Sequence, residues 1–379
     1  MKKEAPVTRE NAMKRLKSSA FPAFMDDLDY QGMTDVILLS ISYLEKVPPD
    51  REFQFGTDMY RADHLIRSFK LFQEVIENKP SAEILKKFIK KNCVVYQSVG
   101  SDDSGDVLFT GYYEPSLQGS LSQSDEFKYP LYARPDDLLT IDLSLFSTKY
   151  KGEKITGRYT GQTVIPYYDR NEIDRQHLLE GNASHVAWVK DPVDLFILHI
   201  QGSGKILLAD GRSINVHYHG TNGRPYKAIG KLLIDTGKIE KSQMSVQKIR
   251  AYLHQHPEEV EAVLNYNPSY VFFKIEEDGP IGSLNVKLTP ARSLAVDYRL
   301  FPLPALVFIE TQKPVLNDNG EIHSWTDFTR FVVSQDTGGA IRGPGHVDLF
   351  WGNGPYAELA AGHLQHSGSL YFIVLKPDE

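Results

Sequence analysis

Gln335-Asp336-Thr337-Gly338-Gly339-Ala340-Ile341-Arg342-Gly343-Pro344-Gly345-His346-Val347-Asp348-Leu349-Phe350-Trp351-Gly352 is the densest polar and glycine-rich stretch of the chain. Its two carboxylates, Asp336 and Asp348, each stand at the edge of an apolar, strand-like run. The glycines between them allow tight turns, so both acids can converge on one site. Paired carboxylates at strand ends suit acid–base work on a glycosidic bond. Phe350 and Trp351, beside the second acid, have apolar ring faces that could pack on a sugar. The same pattern also reads as ordinary turn chemistry, because Asp is common where Gly is common. Spacing alone leaves both readings open.

Working outward, the text on either side of this stretch alternates between helix and strand. Leu65, Ile66, Phe69, Phe72, Val75 and Ile76 form a helical stripe that ends at Pro80. Ser81 then caps a second helix through Ile84, Leu85, Phe88 and Ile89, and Val36 to Leu44 reads similarly. From Val94 onward β-prone runs take over, including Val107–Tyr113, Thr163–Tyr168 and Leu195–Ile200. Asp210-Gly211 lies between two such runs and marks a hairpin. Helix is expected again over Pro225–Thr236, capped by Gly237, and from Ser245 to about Tyr266. Strands follow at Tyr270–Lys274, Ser293–Asp297, Ala305–Glu310, Phe331–Gln335 and Tyr371–Leu375. The order helix, β, helix, β fits a middle β-block inserted into a domain built from both ends of the chain. A groove between two such domains is a usual place for a ligand.

Composition excludes several function classes. The 379 residues suffice for two or three domains. Lys+Arg is 42 against Asp+Glu 49, and no segment concentrates basic charge, which argues against a nucleic-acid platform. No apolar run approaches the ~18–20 residues of a membrane span. A single cysteine, Cys93, excludes an intrachain disulfide and a Cys-based zinc site. Met1-Lys2-Lys3-Glu4-Ala5-Pro6 has basic residues without an apolar segment after them, so no signal peptide is read there.

Other motifs carry less. Asp-Thr-Gly occurs at 235–237 and at 336–338, which raises an aspartic protease. The first copy ends a helical stripe, however, where a glycine cap explains it. His217-Tyr218-His219 could place two imidazoles on one strand face, but no third metal ligand is near in sequence. Gly202-Ser203-Gly204 is not a nucleophile elbow, because residues 201 and 205 are Gln and Lys. Gly352-Asn353-Gly354 lacks the later glycine of a dinucleotide fingerprint. Tyr112-Tyr113-Glu114-Pro115 and Pro166-Tyr167-Tyr168 are aromatic clusters that either stack on sugars or pack in the core.

Taken together, Thr110-Gly111-Tyr112-Tyr113-Glu114-Pro115, Gln201-Gly202-Ser203-Gly204, Gly223-Arg224-Pro225-Tyr226 with Ile229-Gly230, and Asn267-Pro268-Ser269-Tyr270-Val271-Phe272-Phe273 resemble the membrane-bound lytic murein transglycosylase A family. The stretch from Ser293 to Leu375 looks like that family's region of three aspartates, here Asp297, Asp336 and Asp348. The resemblance implies a mainly β fold with N-terminal and intervening helices (α+β). It would comprise a double-psi β-barrel domain from 1–115 and 221–379, with the three-aspartate region at about 290–376, and an inserted β-domain at 116–220 across a groove. It implies cleavage of the β-1,4 bond between N-acetylmuramic acid and N-acetylglucosamine in peptidoglycan, leaving a 1,6-anhydro-muramic end. Asp348 falls on the catalytic acid position, with Asp336 and Asp297 as companions. Thr110, Gly111, Tyr112, Tyr113, Gln201, Ser203 and Trp351 are the expected substrate contacts.

The resemblance calls for no cofactor and no metal. The partner is the peptidoglycan glycan strand, not nucleic acid, and a monomer is expected. It implies a periplasmic location, associated with the outer membrane through a lipid anchor for which the sequence shows no signal. Two alternatives use the same barrel: a hydrolase of wall glycan, and a glycan-binding module without turnover.

Overall fold

The computed structural model describes residues 7–377, so the reading of Met1–Pro6 lies outside the described residues. Two units emerge: one runs up to Tyr113 and from Ile281 onward, and the other is Glu114–Pro280.

The first unit is built on a closed six-stranded barrel. Its strands are β1 (Val107–Glu114), β2 (Ser293–Ala295), β3 (Leu306–Leu316), β4 (Ile322–Asp336), β5 (His346–Asn353) and β6 (His366–Leu375). Around the ring the order is β1, β6, β3, β4, β2, β5 and back to β1. Most neighbours are antiparallel, but β2 runs parallel to β4. Closure leaves none of these six strands with a free edge. Phe308, Phe331, Val333, Leu349, Phe372 and Ile373 are buried. Successive residues such as Phe372 and Ile373 face opposite sides of the wall, and Phe331 meets Phe24 and Phe72 on its outer side, so the barrel is packed on both faces.

Two helices close over this unit. The helix Met33–Leu44 presents Met33, Val36, Ile37 and Ile41 to the core at helical spacing. Gln335, one residue before Asp336, donates from Nε2 to the Val36 carbonyl (3.1 Å) and the Ser40 hydroxyl (2.8 Å) of that helix. Its Oε1 accepts from Ser293 at 2.7 Å. Thus the end of β4 is tied to both the helix and β2. The helix Ala62–Ile76 buries Leu65, Phe69, Phe72 and Ile76, the stripe read from sequence. The following helix, Ala82–Asn92, is capped by Ser81, whose hydroxyl accepts from the Ile84 N–H.

A buried ion pair fastens the N-terminal segment to the barrel. Arg292, immediately before β2, forks onto Asp26 at 2.7 and 2.9 Å, and both side chains are fully buried. The same guanidinium donates to the Gln31 and Phe331 carbonyls, so four of its five N–H donors meet protein acceptors. Asp27, partly exposed, accepts a fork from Arg330 at 2.8 Å on each oxygen and a single bond from Lys313 at 2.6 Å.

The second unit holds a six-stranded sheet in the order Val271–Glu276, Ser213–Thr221, Ser203–Leu208, Ser116–Ser120, His185–Val189, Tyr129–Tyr132. Leu117, Leu131, Val189, Leu198, Ile206 and Phe273 form its core. The hairpin at Asp210-Gly211 is present, with Gly211 at φ +85° and Ser203–Leu208 antiparallel to Ser213–Thr221.

The structure differs from the sequence reading at three places. Leu195–Ile200 is helical, part of Pro192–Gln201, not a strand. Asp191 accepts from the Val193 and Asp194 N–H groups, Pro192 opens the helix and Gly202 ends it at φ +78°; these ends decide what an apolar run of six cannot. The helix expected from Ser245 to Tyr266 is broken at Pro257 into Val246–Gln255 and Val260–Asn265. The stretch 221–280, assigned from sequence to the barrel domain, lies in the second unit, because Val271–Glu276 pairs with Ser213–Thr221 as an edge strand of its sheet.

Candidate active site

The shortest barrel strand organises the two acids. Ala295 on β2 pairs with Asp336 on one side and with Asp348 on the other. The register shifts by one residue between Leu294 and Ala295, so that Gln335 is passed over and Asp336 comes opposite Ala295, near enough to Asp348 for the two charges to interact. Tyr112, Leu288, Ala295, Ile341 and Phe350 form a small apolar cluster around them. Both acids remain partly open to solvent, as a site that receives a substrate requires.

Their environments differ. Burial pushes the Asp348 carboxyl up to about 7, and the Asp336 charge adds to that rise, while a hydrogen bond from the Thr110 hydroxyl (3.0 Å) opposes it. Burial also raises Asp336, against four donors that favour its ionised form. These are the Ser283 N–H, the Thr337 N–H and the Tyr112 hydroxyl, each at 2.9 Å, and the Ser283 hydroxyl. Burial lifts the Tyr112 phenol well above its ordinary range, so it remains a donor. A carboxyl that keeps its proton near neutrality beside one supplied with donors is the asymmetry that acid catalysis needs.

Asp297 has another setting. Its carboxylate is fully buried, and burial alone would raise it. Arg299 overrides this, binding through Nε at 2.9 Å and Nη2 at 2.6 Å, and the Gly343 and Arg299 N–H groups donate as well, so the group is held below its usual range. Gly343 belongs to the 337–345 loop, so Asp297 pins the connection between Asp336 and Asp348.

The structure distributes the expected substrate contacts as follows. Thr110 and Tyr112 touch Asp348 and Asp336 directly. Gly111 lies against the Trp351 indole: a Cβ there would fall 2.7 Å from ring atoms and 2.8 Å from the Ala361 Cα. Trp351 is only 7 % exposed and packs edge-on to Phe328 and Tyr356. Phe350 is buried beside Tyr112. The expectation that these two rings present open faces to a sugar therefore does not hold; they fill the space that Gly111 and Tyr112 leave. Tyr113 is likewise buried. Gln201 and Ser203 lie in the other unit, at the end of Pro192–Gln201 and the start of Ser203–Leu208.

Sequence reasoning missed His346 and Ser283. His346 Nε2 lies 2.9 Å from the Thr110 hydroxyl. Its position two residues before Asp348 on a strand placed both on one face, a signal that was available. Ser283 reaches Asp336 through its backbone N–H as well as its hydroxyl, and it comes from a loop some fifty residues earlier, which no sequence pattern marks. One cavity of about 330 Å³ takes Ser283 and Thr337, neighbours of Asp336, into its lining and does not include Asp348.

Among the described residues, His256, Glu258 and Glu259 form the one set of potential ligands close enough to share an ion, and Lys238 and Tyr252 already engage Glu259. His217 and His219 are not part of it. The first Asp-Thr-Gly copy ends the helix Ile229–Asp235, with Gly237 at φ +70°, as its cap reading expects.

Two family models match the chain: the MltA specific insert domain over residues 108–274, and the 3D domain over residues 292–374. Membrane-bound lytic murein transglycosylase A of Escherichia coli K12 is 34% identical over 285 residues, 74% of this chain and 69% of that protein. The chain belongs to the membrane-bound lytic murein transglycosylase A family. The Vibrio cholerae member is 32% identical over 73% of this chain and 68% of its own length. Among solved members, the crystal structure of a membrane-bound lytic murein transglycosylase from Agrobacterium tumefaciens superposes with a TM-score of 0.77 at 29% identity, covering 96% of this chain and 98% of that one. Escherichia coli MltA with bound chitohexaose gives 0.70 at 28% identity over 92% and 91%. The insert-domain match ends at 274, close to the unit boundary at Pro280, and Asp297, Asp336 and Asp348 all fall inside the 3D domain. No helix among the described residues is long and apolar enough to cross a membrane.

Proposed function

We propose that this family member cleaves the β-1,4 bond between N-acetylmuramic acid and N-acetylglucosamine in peptidoglycan strands and leaves a 1,6-anhydro-muramic end. The observation that carries the reading is the Asp348 carboxyl, pushed up to about 7 by burial and by Asp336 on the far side of Ala295. A carboxyl of that kind carries a proton near neutral pH and delivers it to the leaving glycosidic oxygen. The carboxylate so formed accepts the proton of the C6 hydroxyl as that oxygen attacks C1. The nucleophile belongs to the substrate and comes at high effective molarity, so no activated water is required. Protons balance: Asp348 ends as it began.

Asp336, on the opposite side of Ala295, raises the Asp348 proton affinity and favours the positive charge that develops at C1. Asp297 fixes the loop between them. Gln201 and Ser203, on the insert domain, are proposed substrate contacts on the family resemblance. The reaction needs neither cofactor nor metal. The protein is proposed to act as a monomer in the periplasm, with outer-membrane association through a lipid anchor. The reading is tested by the rate of glycan release from purified sacculi: Asp348→Asn, correctly folded, loses at least ~10³-fold. Near-full turnover by that variant would remove Asp348 from the mechanism.

A further inference from the structure

The Thr110 hydroxyl has one hydrogen and two strong acceptors. Its Oγ1 lies 2.9 Å from His346 Nε2 and 3.0 Å from Asp348 Oδ1. The Val347 carbonyl, at 3.3 Å, is a weaker third. His346 also bonds the Ala340 backbone in a way that favours the charged ring, which is the signature of a ring N–H donating to a carbonyl. With Nε2 facing Thr110, that N–H sits on Nδ1, and the assignment follows from the partners. Burial meanwhile lowers His346, which keeps the ring neutral near pH 7. A neutral imidazole protonated on Nδ1 presents a bare lone pair at Nε2, and Thr110 is the donor that meets it.

We propose that Thr110 and His346 are positioning residues that toggle with the Asp348 proton, the Thr110 hydrogen pointing to Nε2 when Asp348 is an acid and to Oδ1 when it is a carboxylate. In the acid state the chain runs Asp348 O–H to Thr110 oxygen and Thr110 O–H to His346 Nε2, and every donor has an acceptor. When Asp348 gives its proton to the leaving oxygen, the Thr110 hydroxyl rotates and donates to the new carboxylate, leaving Nε2 bare. The one proton that leaves the triad is the Asp348 proton given to the leaving oxygen, and the C6 hydroxyl proton later restores it; Thr110 and His346 keep theirs throughout. His346 therefore competes for the hydrogen bond that would stabilise the carboxylate and so helps Asp348 keep its proton. The other titratable groups facing Asp348 are Asp336 at the end of β4 and Tyr112 on β1, while β2 presents only Ala295 there.

The triad's contacts hold without substrate; only their kinetic consequence rests on the function proposed above. The test is a ¹³C-carboxyl NMR titration of the full chain, with the Asp348 signal assigned by its loss in Asp348→Asn. Thr110→Val removes the donor to the carboxylate and moves the Asp348 midpoint up by about one pH unit. His346→Phe removes the competing acceptor at similar ring volume and moves it down by about half a unit; His346→Leu serves if the phenylalanine does not fold. Thr110→Ser leaves it near wild type. The double variant Thr110→Val/His346→Phe matches Thr110→Val, because His346 acts only through the hydroxyl. An unchanged midpoint in His346→Phe and His346→Leu, or a His346 effect that persists on the Thr110→Val background, overturns the proposal. If the midpoints move as stated while the alkaline limb of sacculus digestion does not follow, the toggle stands and the catalytic assignment of Asp348 fails instead.

Discussion

Asp336 and Asp348 are held on either side of the same residue, Ala295, by a strand only three residues long. The parallel pairing of β2 with β4 delivers one acid and its antiparallel pairing with β5 delivers the other. Ala295 is 3 % exposed and lies in the apolar cluster with Tyr112 and Phe350, so a side chain bulkier than alanine would have to displace its neighbours. Replacing Ala295 with leucine should part the two carboxyls and overpack the cluster. It should lower turnover by one to two orders of magnitude and stability by about 1–3 kcal/mol. Denaturant unfolding beside sacculus digestion separates the two effects.

Neutralising Asp336 removes the charge that helps raise Asp348. Asp336→Asn should therefore move the alkaline limb of kcat/KM, expected near pH 7 in the wild type, to lower pH and reduce the plateau. A limb that stays in place, or rises, would contradict the electrostatic link between the two acids.

The raised Asp348 carboxyl also makes a stability statement. Its folded value, about 7, lies above its unfolded value near 3.8, so the folded state binds the extra proton between those two pH values. The stability it contributes is complete below about pH 4 and is lost as pH rises through 7. Asp348→Asn should consequently be more stable than wild type by about 4 kcal/mol at pH 8 and nearly indistinguishable from it at pH 4. Paired thermal or denaturant melts at the two pH values check the sign.

Much of the fold and part of this site could be read in the sequence, for identifiable reasons. The helix Ala62–Ile76 and the hairpin at Asp210-Gly211 follow from period and turn chemistry, which are local. Asp336 and Asp348 could be singled out because glycines crowd between them. Leu195–Ile200 was misread because a buried apolar run has no period, and the Asp191 and Gly202 caps were the decisive signal. The edge of the inserted unit at Pro280 depends on a strand pairing between Ser213–Thr221 and Val271–Glu276, which is non-local. The burial of Trp351 against Gly111 and the tie from Asp26 to Arg292 join residues hundreds of positions apart, and no spacing announces them.

That tie should be costly to break. Asp26→Ala leaves the Arg292 guanidinium buried with part of its donors unmet, and should destabilise the barrel unit by about 3–5 kcal/mol. A loss under 1 kcal/mol in urea unfolding would show that the pair does not anchor the N-terminal segment.

Gly111 should tolerate no side chain. Gly111→Ala places a methyl 2.7 Å from the Trp351 indole and against the Ala361 backbone, and should cost about 1–3 kcal/mol while shifting tryptophan fluorescence. A variant as stable as wild type, with unchanged emission, would mean that β1 does not lean on Trp351 in solution.

The most direct test of the central claim is the mass of the sugar ends released from purified sacculi, for wild type beside Asp348→Asn. The account predicts anhydro-muramic ends from the wild type and none from the variant. Ends heavier by one water would contradict it, and would make this barrel a hydrolase in which Asp336 or another group activates water.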